Sequence, residues 1–600
     1  MLSPRPMTLD PSLDPHPDHR LDALARGWRG PLLAALVALI AGLPGLLALP
    51  VLDRDEARFA QSTAQMLETG NLIDTQFQDQ SREREPIALH WLQAASVQVL
   101  SSAEARQIWA YRVPSLLGAM LAAAACAWGA AAFFGGGAGL LAGAMLGGCL
   151  ILSTEAGIGK ADALLCGAVT LALAALGRLY GANQAGARIE RRTRLLFWLG
   201  LALAILDKGL VGLLTVGLTI GALWIWDRRA PWLRDLGWTW GLILLASILG
   251  PWLIAITVRT DGAAWTDTPA VDLAGVGPSG AAPAALHLLA APLLLFPLAA
   301  LLPAALVEGW KARREPGLRF ALCWLAPNWL VLELEPTRLI HQALPLYGAL
   351  AWLAAFALTR PLGAVTRWTG AALSLTAAIV LAGGQAYLSA RLGNTPVEKL
   401  AALAAVLILA AGVSGCLILT RRWRLPALAL TLGLGVAAHG AVAAIVAPRL
   451  NALWPSSAVV RGLDRAGVNP QRGLTPGPVA VAGFAEPSLV FALGTETELG
   501  DAGDAAEAIS EGRPAVVEQR MDAAFRAALA AGRLKAHVIG AVAGLDYVSG
   551  APVYLTLYRS DMPPPEDAAP PAPAPSPESA APPSPAAKGQ KPSGSRKKKP

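Results

Sequence analysis

Cysteine is scarce and charge is thin in this chain. Five cysteines stand in 600 residues (Cys126, Cys149, Cys166, Cys323, Cys416), all inside apolar blocks. That placement gives neither a disulfide framework nor a metal-ligand spacing. Only 15% of the residues are charged, against roughly a quarter in ordinary soluble domains. With 54% hydrophobic residues and 19 Trp, and a mean hydropathy of +0.47, too little polar surface remains for a soluble globular enzyme. The same figures exclude a disordered chain and a coiled coil. No cleaved signal peptide is expected, because the first apolar block is too long and lacks a clean small-residue cleavage site. The net charge of +7 is a matter of loop placement, so no nucleic acid is expected as a partner.

What the chain does have is apolar blocks of roughly 18–24 residues, the length a helix needs to cross a bilayer core. The expected fold class is an α-helical polytopic membrane protein with about 13 transmembrane helices. They are placed near 31–51, 111–134, 136–153, 162–182, 194–206, 208–227, 237–258, 284–307, 318–334, 343–359, 367–388, 398–420 and 425–448. Arginine in the short loops sets the orientation. With the N-terminus inside, Arg188, Arg191, Arg192 and Arg194, then Lys311, Arg313 and Arg314, then Arg421, Arg422 and Arg424 all fall in inside loops. An odd number of spans then carries the C-terminal region outside.

Four segments follow. Residues 1–28 form a polar cytoplasmic lead, and 29–448 a transmembrane domain with outer loops 53–110 and 259–283. Residues 449–561 form a small α/β domain outside the membrane, with strand-like runs at Val479–Phe484, Ala515–Glu518, His537–Val542 and Val553–Tyr558. Residues 562–600 form a disordered Pro/Ala/Ser-rich tail ending in Arg596-Lys597-Lys598-Lys599.

Charges next to hydrocarbon are costly and tend to be functional. The outer ends of the spans collect both signs: Asp55, Glu56 and Arg58; Arg84 and Glu85; Glu155, Lys160 and Asp162; Asp207 and Lys208; Glu333, Arg338 and His341. The sharpest element is Leu52-Asp53-Arg54-Asp55-Glu56-Ala57-Arg58-Phe59-Ala60. Asp55 opens an amphipathic stretch, Glu56 to Leu67, expected to lie along the membrane surface. A carboxylate at a helix start is held ionised. It can take a proton from a hydroxyl or bind a metal ion, or it can be a plain helix cap. In Glu155-Ala-Gly-Ile-Gly-Lys-Ala-Asp162, one helix would put Glu155 and Asp162 on a shared face and send Lys160 elsewhere. The blander reading is a hydrated span end. Arg338 suits phosphate, and His341 and Tyr347 suit a sugar or phosphate oxygen; all three also fit interfacial anchors.

Together these residues resemble the GT-C glycosyltransferases that use polyprenyl-phosphate sugars, above all the ArnT-like aminoarabinose transferases and the dolichyl-phosphate-mannose protein mannosyltransferases. The resemblance runs from about Leu49 to Tyr347. Asp55-Glu56-Ala57-Arg58-Phe59 matches the Asp-Glu-x-Arg-(Tyr/Phe) that opens that family's first outer loop. Met66-Leu67-Glu68-Thr69-Gly70-Asn71, the acid Asp162, the pair Lys208-Gly209 and the segment His341 to Gly348 match later motifs. The run Gln78-Asp79 to Ala95 and the segment Ala485 to Phe491 look like one bacterial branch of the group. Three positions depart from the pattern. Arg84-Glu85-Pro86 replaces Glu-Lys-Pro or Lys-Lys-Pro. The stretch Val271 to Pro283 has Asp272 as its only acid, no histidine and no Pro-Pro-Gly. Gln342 stands where a tyrosine is usual.

The resemblance implies an inverting glycosyltransferase of the bacterial inner membrane that modifies lipopolysaccharide or a similar envelope lipid or glycan. The donor is a sugar on undecaprenyl or a related polyprenyl phosphate, and the acceptor is a lipid or glycan with an exposed hydroxyl or phosphate, such as lipid A. Asp55 orients or deprotonates the acceptor, or with Glu85 holds a divalent metal cation. Asp162 contacts sugar or acceptor. Lys208, Arg58 and Arg338 neutralise the phosphate. Arg84, Glu85, Lys160, His341 and Tyr347 complete the substrate-binding set. Two other readings stay open: a catalytically degenerate homologue that binds lipid or acts as a scaffold, and a lipid-linked sugar transporter.

Overall fold

The computed structural model describes residues 21–561, apart from 53, 82–85, 263–282, 284, 336–337, 421–423, 473–476 and 547–548. Arg84, Glu85, Asp272, the tail and most of the expected second outer loop therefore lie outside the described residues. Helix α1 (Arg29–Ala48) leads into a first loop built from α2 (Asp55–Thr69), the hairpin β1 (Gln76–Phe77) and β2 (Gln80–Ser81), and α3 (Ala88–Leu100). Then come α4 (Ile108–Phe134), α5 (Gly136–Gly147), α6 (Leu150–Ala156), α7 (Ala161–Gln184), α8 (Arg191–Lys208), α9 (Leu210–Asp227) and α10 (Trp238–Arg259). Seven further helices complete the membrane part: Leu286–Leu294, Leu302–Lys311, Pro316–Leu334, Tyr347–Ala357, Ala364–Leu392, Thr395–Ile418 and Arg424–Ala441.

Among the described residues, nine helices are long and apolar enough to cross a membrane, or ten if α5 and α6, bent by 63°, count as one span. The chain is a multi-pass membrane protein. Besides the bent pair, three of the about 13 expected spans fall outside that count by length and composition. Helix α8 covers 194–206 but carries Arg191, Arg192, Arg194, Asp207 and Lys208. The stretch 284–307 is broken at Pro297, between the short helices Leu286–Leu294 and Leu302–Lys311. Pro316–Leu334 includes Arg319, Asn328 and Glu333.

Small residues let the central helices touch. A Cβ on Gly118 of α4 would lie 2.5 Å from Leu164 Cα of α7, and one on Gly167 of α7 would lie 2.4 Å from the Gly118 carbonyl oxygen. Only glycine permits that approach. Further along the same two helices, against Gly129 and Gly177, sits an aromatic core. Trp352 packs 5.7 Å from Phe133, 5.8 Å from Phe320 and 5.8 Å from Trp324, ring centre to ring centre. Its indole N–H donates to the Cys126 carbonyl at 3.1 Å, which satisfies its one buried polar group. Peripheral helices show the opposite surface. Of α10 only Gly241 and Ile256 are buried, and Ile254 and Val258 are exposed. An apolar helix with almost no buried side is explained by contact with lipid.

The C-terminal region forms one five-stranded sheet of order β4-β3-β5-β7-β6, with β3 (Ala480–Ala482), β4 (Glu498–Gly500), β5 (Ala515–Glu518), β6 (Ala536–Leu545) and β7 (Pro552–Ser560). β3 pairs parallel with β4 and β5, while β7 runs antiparallel to β5 and β6. The four expected strand runs correspond to β3, β5, β6 and β7. Strand β4 and the helix Ala502–Ser510 were not expected. β4 is three residues long and mostly exposed, too short and polar to show a strand pattern.

Candidate functional site

The amphipathic pattern of helix α2 serves packing on protein. The helix is wedged between the transmembrane helices and the C-terminal domain, and ten of its residues are buried. What fixes it is Glu56, 1% exposed. Arg112, fully buried on α4, grips both carboxylate oxygens at 2.7 Å through Nε and Nη2. The Leu52 N–H donates to Glu56 Oε2 at 2.9 Å and the Gly159 N–H to Oε1 at 2.6 Å. Arg112 spends its other protons on main-chain carbonyls at the end of α1, donating to Leu49 at 2.7 Å and Pro50 at 2.8 Å. A buried bidentate pair with every remaining lone pair and proton bonded is the arrangement in which the attraction repays desolvation.

A second buried network supports it. Gln93 on α3 donates to the carbonyls of Tyr111 (3.0 Å) and Gly159 (3.1 Å). It accepts from the Thr63 hydroxyl at 2.8 Å, and that hydroxyl also lies 2.8 Å from His90 Nδ1. The sequence reading missed Arg112 because it stands at a span edge where arginine looks ordinary. The available signal was its position on the same side as the other charged span ends.

This framework presents Asp55. It is exposed and forms no hydrogen bond or ion pair among the described residues. Arg54, just before it, has a positive φ of 66°, a strained state for a residue with a side chain.

Opposite lies a cluster of charges. Asp162 accepts from Lys208 Nζ at 2.6 Å on one oxygen, while Lys160 Nζ stands 3.2 Å and His341 Nε2 3.8 Å from the other. Lys160 also pairs with Glu155 at 3.0 Å. Asp55 is near enough for its charge to act on the His341 ring. Glu155 and Asp162 do not share a helix. α6 ends at Ala156, the chain turns through Gly157–Lys160, and α7 starts at Ala161. Lys160 is brought between the two acids instead of projecting away. Its carbonyl is held by the Ser115 hydroxyl at 2.9 Å. Burial opposes its charge, but the Asp162 and Glu155 carboxylates outweigh that and hold its pKa above the usual lysine value. Lys208 ends α8, and Gly209 follows at φ 55° and ψ −124°, a conformation open to glycine. That turn puts the ammonium on Asp162 and reverses the chain into α9. A Cβ on Gly209 would lie 3.7 Å from Pro86 Cγ, so the residue after Glu85 borders the same site.

Of the expected site residues, Asp55, Lys160, Asp162, Lys208 and His341 are thus brought together. Arg58 sits one turn along α2 from Asp55, half-buried and without an ion pair among the described residues. Arg338 is engaged differently from the expectation. Its Nε and Nη2 donate to the Glu333 carbonyl at 2.9 and 2.6 Å, and Nη1 donates to Pro283 at 3.2 Å. Beside it, buried His287 bonds the Leu339 carbonyl at 3.0 Å. Gln342, where the family has tyrosine, accepts the Leu339 N–H at 2.9 Å. These contacts fix the strand of chain that carries His341. Tyr347, expected to bind substrate, instead packs fully buried against Trp329, its hydroxyl without a hydrogen-bond partner among the described residues.

The metal expectation rested on Asp55 with Glu85, and Glu85 is outside the described residues. Among the described residues no three His, Cys, Asp or Glu side chains gather to hold a metal. Asp162 already faces two ammonium groups, which makes it a poor cation ligand.

The C-terminal domain closes over the far side of α2. Arg106 donates to Gln61 Oε1 (2.7 Å), the Phe491 carbonyl (2.9 Å) and the Thr495 hydroxyl (3.0 Å), and pairs with Glu68. Gln78, at the hairpin tip, donates to the Thr495 and Thr497 carbonyls at 3.0 and 2.6 Å. Tyr111 and Phe491 meet edge to face at 5.2 Å.

No protein-family model matches the chain. It is 29% identical over 309 residues to the undecaprenyl phosphate-alpha-4-amino-4-deoxy-L-arabinose arabinosyl transferase of Erwinia tasmaniensis, covering 50% of this chain and 54% of that protein. It is 29% identical over 318 residues to the same-named protein of Aeromonas salmonicida, with 51% and 56% covered. For that of Pseudomonas aeruginosa the figures are 27% over 398 residues, 62% and 67%. The chain thus spans little more than half the length of the first two relatives. The crystal structure of ArnT from Cupriavidus metallidurans bound to undecaprenyl phosphate superposes with a TM-score of 0.67 at 18% identity, covering 88% of this chain and 97% of that one. The paired first loop, the bundle and the C-terminal sheet are together the GT-C, ArnT-like fold that the sequence motifs anticipated.

Proposed function

We propose that this protein is an integral-membrane glycosyltransferase that moves a sugar from a polyprenyl-phosphate donor to a hydroxyl or phosphate of an envelope lipid, of the lipid A kind. The observation that carries the reading is one exposed carboxylate, Asp55, without an ion pair among the described residues and set on a rigid buried frame beside the Lys160–Asp162–Lys208–His341 cluster. The names of the relatives supply the donor, undecaprenyl phosphate carrying an amino sugar. In the reaction an acceptor oxygen attacks the anomeric carbon, the bond from that carbon to the phosphate oxygen breaks, and the polyprenyl phosphate leaves with the bonding pair. Asp55 orients the acceptor and takes its proton. Lys208 and Arg58 offset the charge that grows on the leaving phosphate. Asp162 holds Lys208 in place and borders the sugar. A single displacement of this kind inverts the anomeric centre. A divalent cation, where the reaction takes one, has Asp55 as its exposed ligand, with Glu85 as the second candidate. In this reading the site and the C-terminal domain face the periplasm, which the arginine-rich loops at the opposite end of the bundle support by the positive-inside pattern.

The test is sugar transfer by the full chain in reconstituted membranes, comparing wild type with Asp55→Asn at equal protein. Asn keeps the size and helix-capping ability of Asp, so a capping role predicts an unchanged rate. Loss of the base predicts a fall of about 10²–10⁴. Near wild-type turnover in the variant removes Asp55 from the mechanism. No turnover by the wild type across several polyprenyl-phosphate sugars favours the degenerate homologue.

A further inference from the structure

The end of the bundle away from the lysine–carboxylate cluster carries chemistry that the transfer does not use. Arg178 lies about 24 Å down α7 from Asp162, at 1.5 Å per residue. Here a groove of about 810 Å³ opens among α1, α4, α5, α7 and α8, with Leu171 and Leu196 in its apolar wall. Arg26, Trp28 and Arg178 stand at its mouth. Arg178 is fixed there: it donates to the Trp128 carbonyl at 3.0 Å, and its guanidinium lies 4.6 Å over the Trp128 ring.

A second cavity, of about 1060 Å³, opens where α7 ends and α8 begins. Arg188, Arg191, Arg192 and Arg194 line it against two acids, Glu190 and Asp235. Asp235 is engaged by the Asn183 amide at 2.9 Å. Arg194 Nε is buried with no hydrogen-bond partner among the described residues. A buried donor left without an acceptor costs free energy that a bound anion recovers. The two spaces share one face of α8. Arg192 and Leu196 stand one turn apart on the same face of α8, one lining the cavity and the other the groove. Glu190 of the cavity is near enough for its charge to act on Arg178 of the groove.

We infer that groove and cavity form one binding site for an acidic glycerophospholipid of the adjacent leaflet, with its chains in the groove and its phosphate headgroup on the α8 arginines. The groove explains why the ligand is a lipid: a soluble phosphate ester has no use for an apolar wall. The arginines explain why the lipid is acidic, since guanidinium matches phosphate in charge and hydrogen-bond geometry. By the positive-inside pattern this leaflet is the cytoplasmic one. The inference does not rest on the transfer reaction.

The test uses the delipidated full chain in detergent, titrated with phosphatidylglycerol or phosphatidylcholine and read by native mass spectrometry for retained lipid. Phosphatidylglycerol is expected to be retained at least about tenfold more strongly. Arg191→Gln/Arg192→Gln/Arg194→Gln should abolish that preference. Arg229→Gln/Arg367→Gln, two exposed arginines of the same membrane side, should keep it. Leu196→Trp, which fills the groove and leaves every arginine, should lower retention of both lipids. Should the triple variant fail to accumulate, Arg194→Gln alone must weaken the preference. Equal retention of the two lipids by wild type, or an equal preference in all variants, overturns the proposal. So does displacement of phosphatidylglycerol by millimolar inorganic phosphate, which would mark the cavity as a plain anion site.

Discussion

Asp55 is exposed and makes no hydrogen bond or ion pair among the described residues, whereas Glu56, one position on, is buried and accepts four hydrogen bonds. The two carboxylates belong to regions with opposite physics. Around Glu56 the charges are sealed, neutralised and saturated by main chain, so the region is built to hold position. Around Asp55 and Asp162 the charges are mixed and partly open, with the Lys208 side chain 22% exposed, so the region can meet a ligand. A site that must stabilise charge during a reaction needs both: donors that do not reorganise, and a frame that keeps them from doing so. The family-like motif spells the two roles in adjacent letters, and only the fold tells them apart.

The comparison breaks most visibly at Arg112. Arg112→Ala leaves Glu56 buried and unpaired, which should cost about 3–5 kcal/mol, read as a large fall in the thermal midpoint of the purified protein and in its folded yield. The double variant Glu56→Gln/Arg112→Met removes both charges and should recover part of that loss. An unchanged midpoint for Arg112→Ala would mean the pair is not the frame. Lys208→Met should behave in the reverse way. The protein should melt near wild type, because Lys160 remains on Asp162, while transfer falls about 10²–10³ through loss of charge stabilisation. A stability loss matching the activity loss would make Lys208 structural. The smallest effect is expected at Tyr347. Its hydroxyl has no partner among the described residues, so Tyr347→Phe should shift stability by less than about 0.5 kcal/mol and leave transfer unchanged. A tenfold loss of transfer would return Tyr347 to the substrate site.

The site was legible where residues are both charged and at span ends. Asp55, Lys160, Asp162, Lys208 and His341 could be grouped on one side because orientation alone put them there. The missing parts were of two kinds. Buried polar groups such as Thr63, His90 and Gln93 carry no pattern, since their partners are main-chain atoms and distant side chains. Local geometry also turns side chains in ways that spacing cannot show. The break at Gly157 put Lys160 between two acids that a continuous helix would have separated from it. The turn through Pro345 sent Tyr347 into the core. In the membrane part, length and apolarity located the spans, but the break at Pro297 cut one expected span into short helices that remain apolar in sequence.

The bonds made by Arg106 and Gln61 to Thr495 join residues 389 and 434 positions apart. Contacts of such separation can form only when synthesis is nearly complete. Until then the first loop has the Glu56 pair, formed with residues before 160, but lacks its outer support. The chain therefore assembles in two stages, with a framed but uncovered site waiting for its own C-terminus. A ribosome stalled before residue 490 would leave a chain with its charged cluster in place and nothing latched above it.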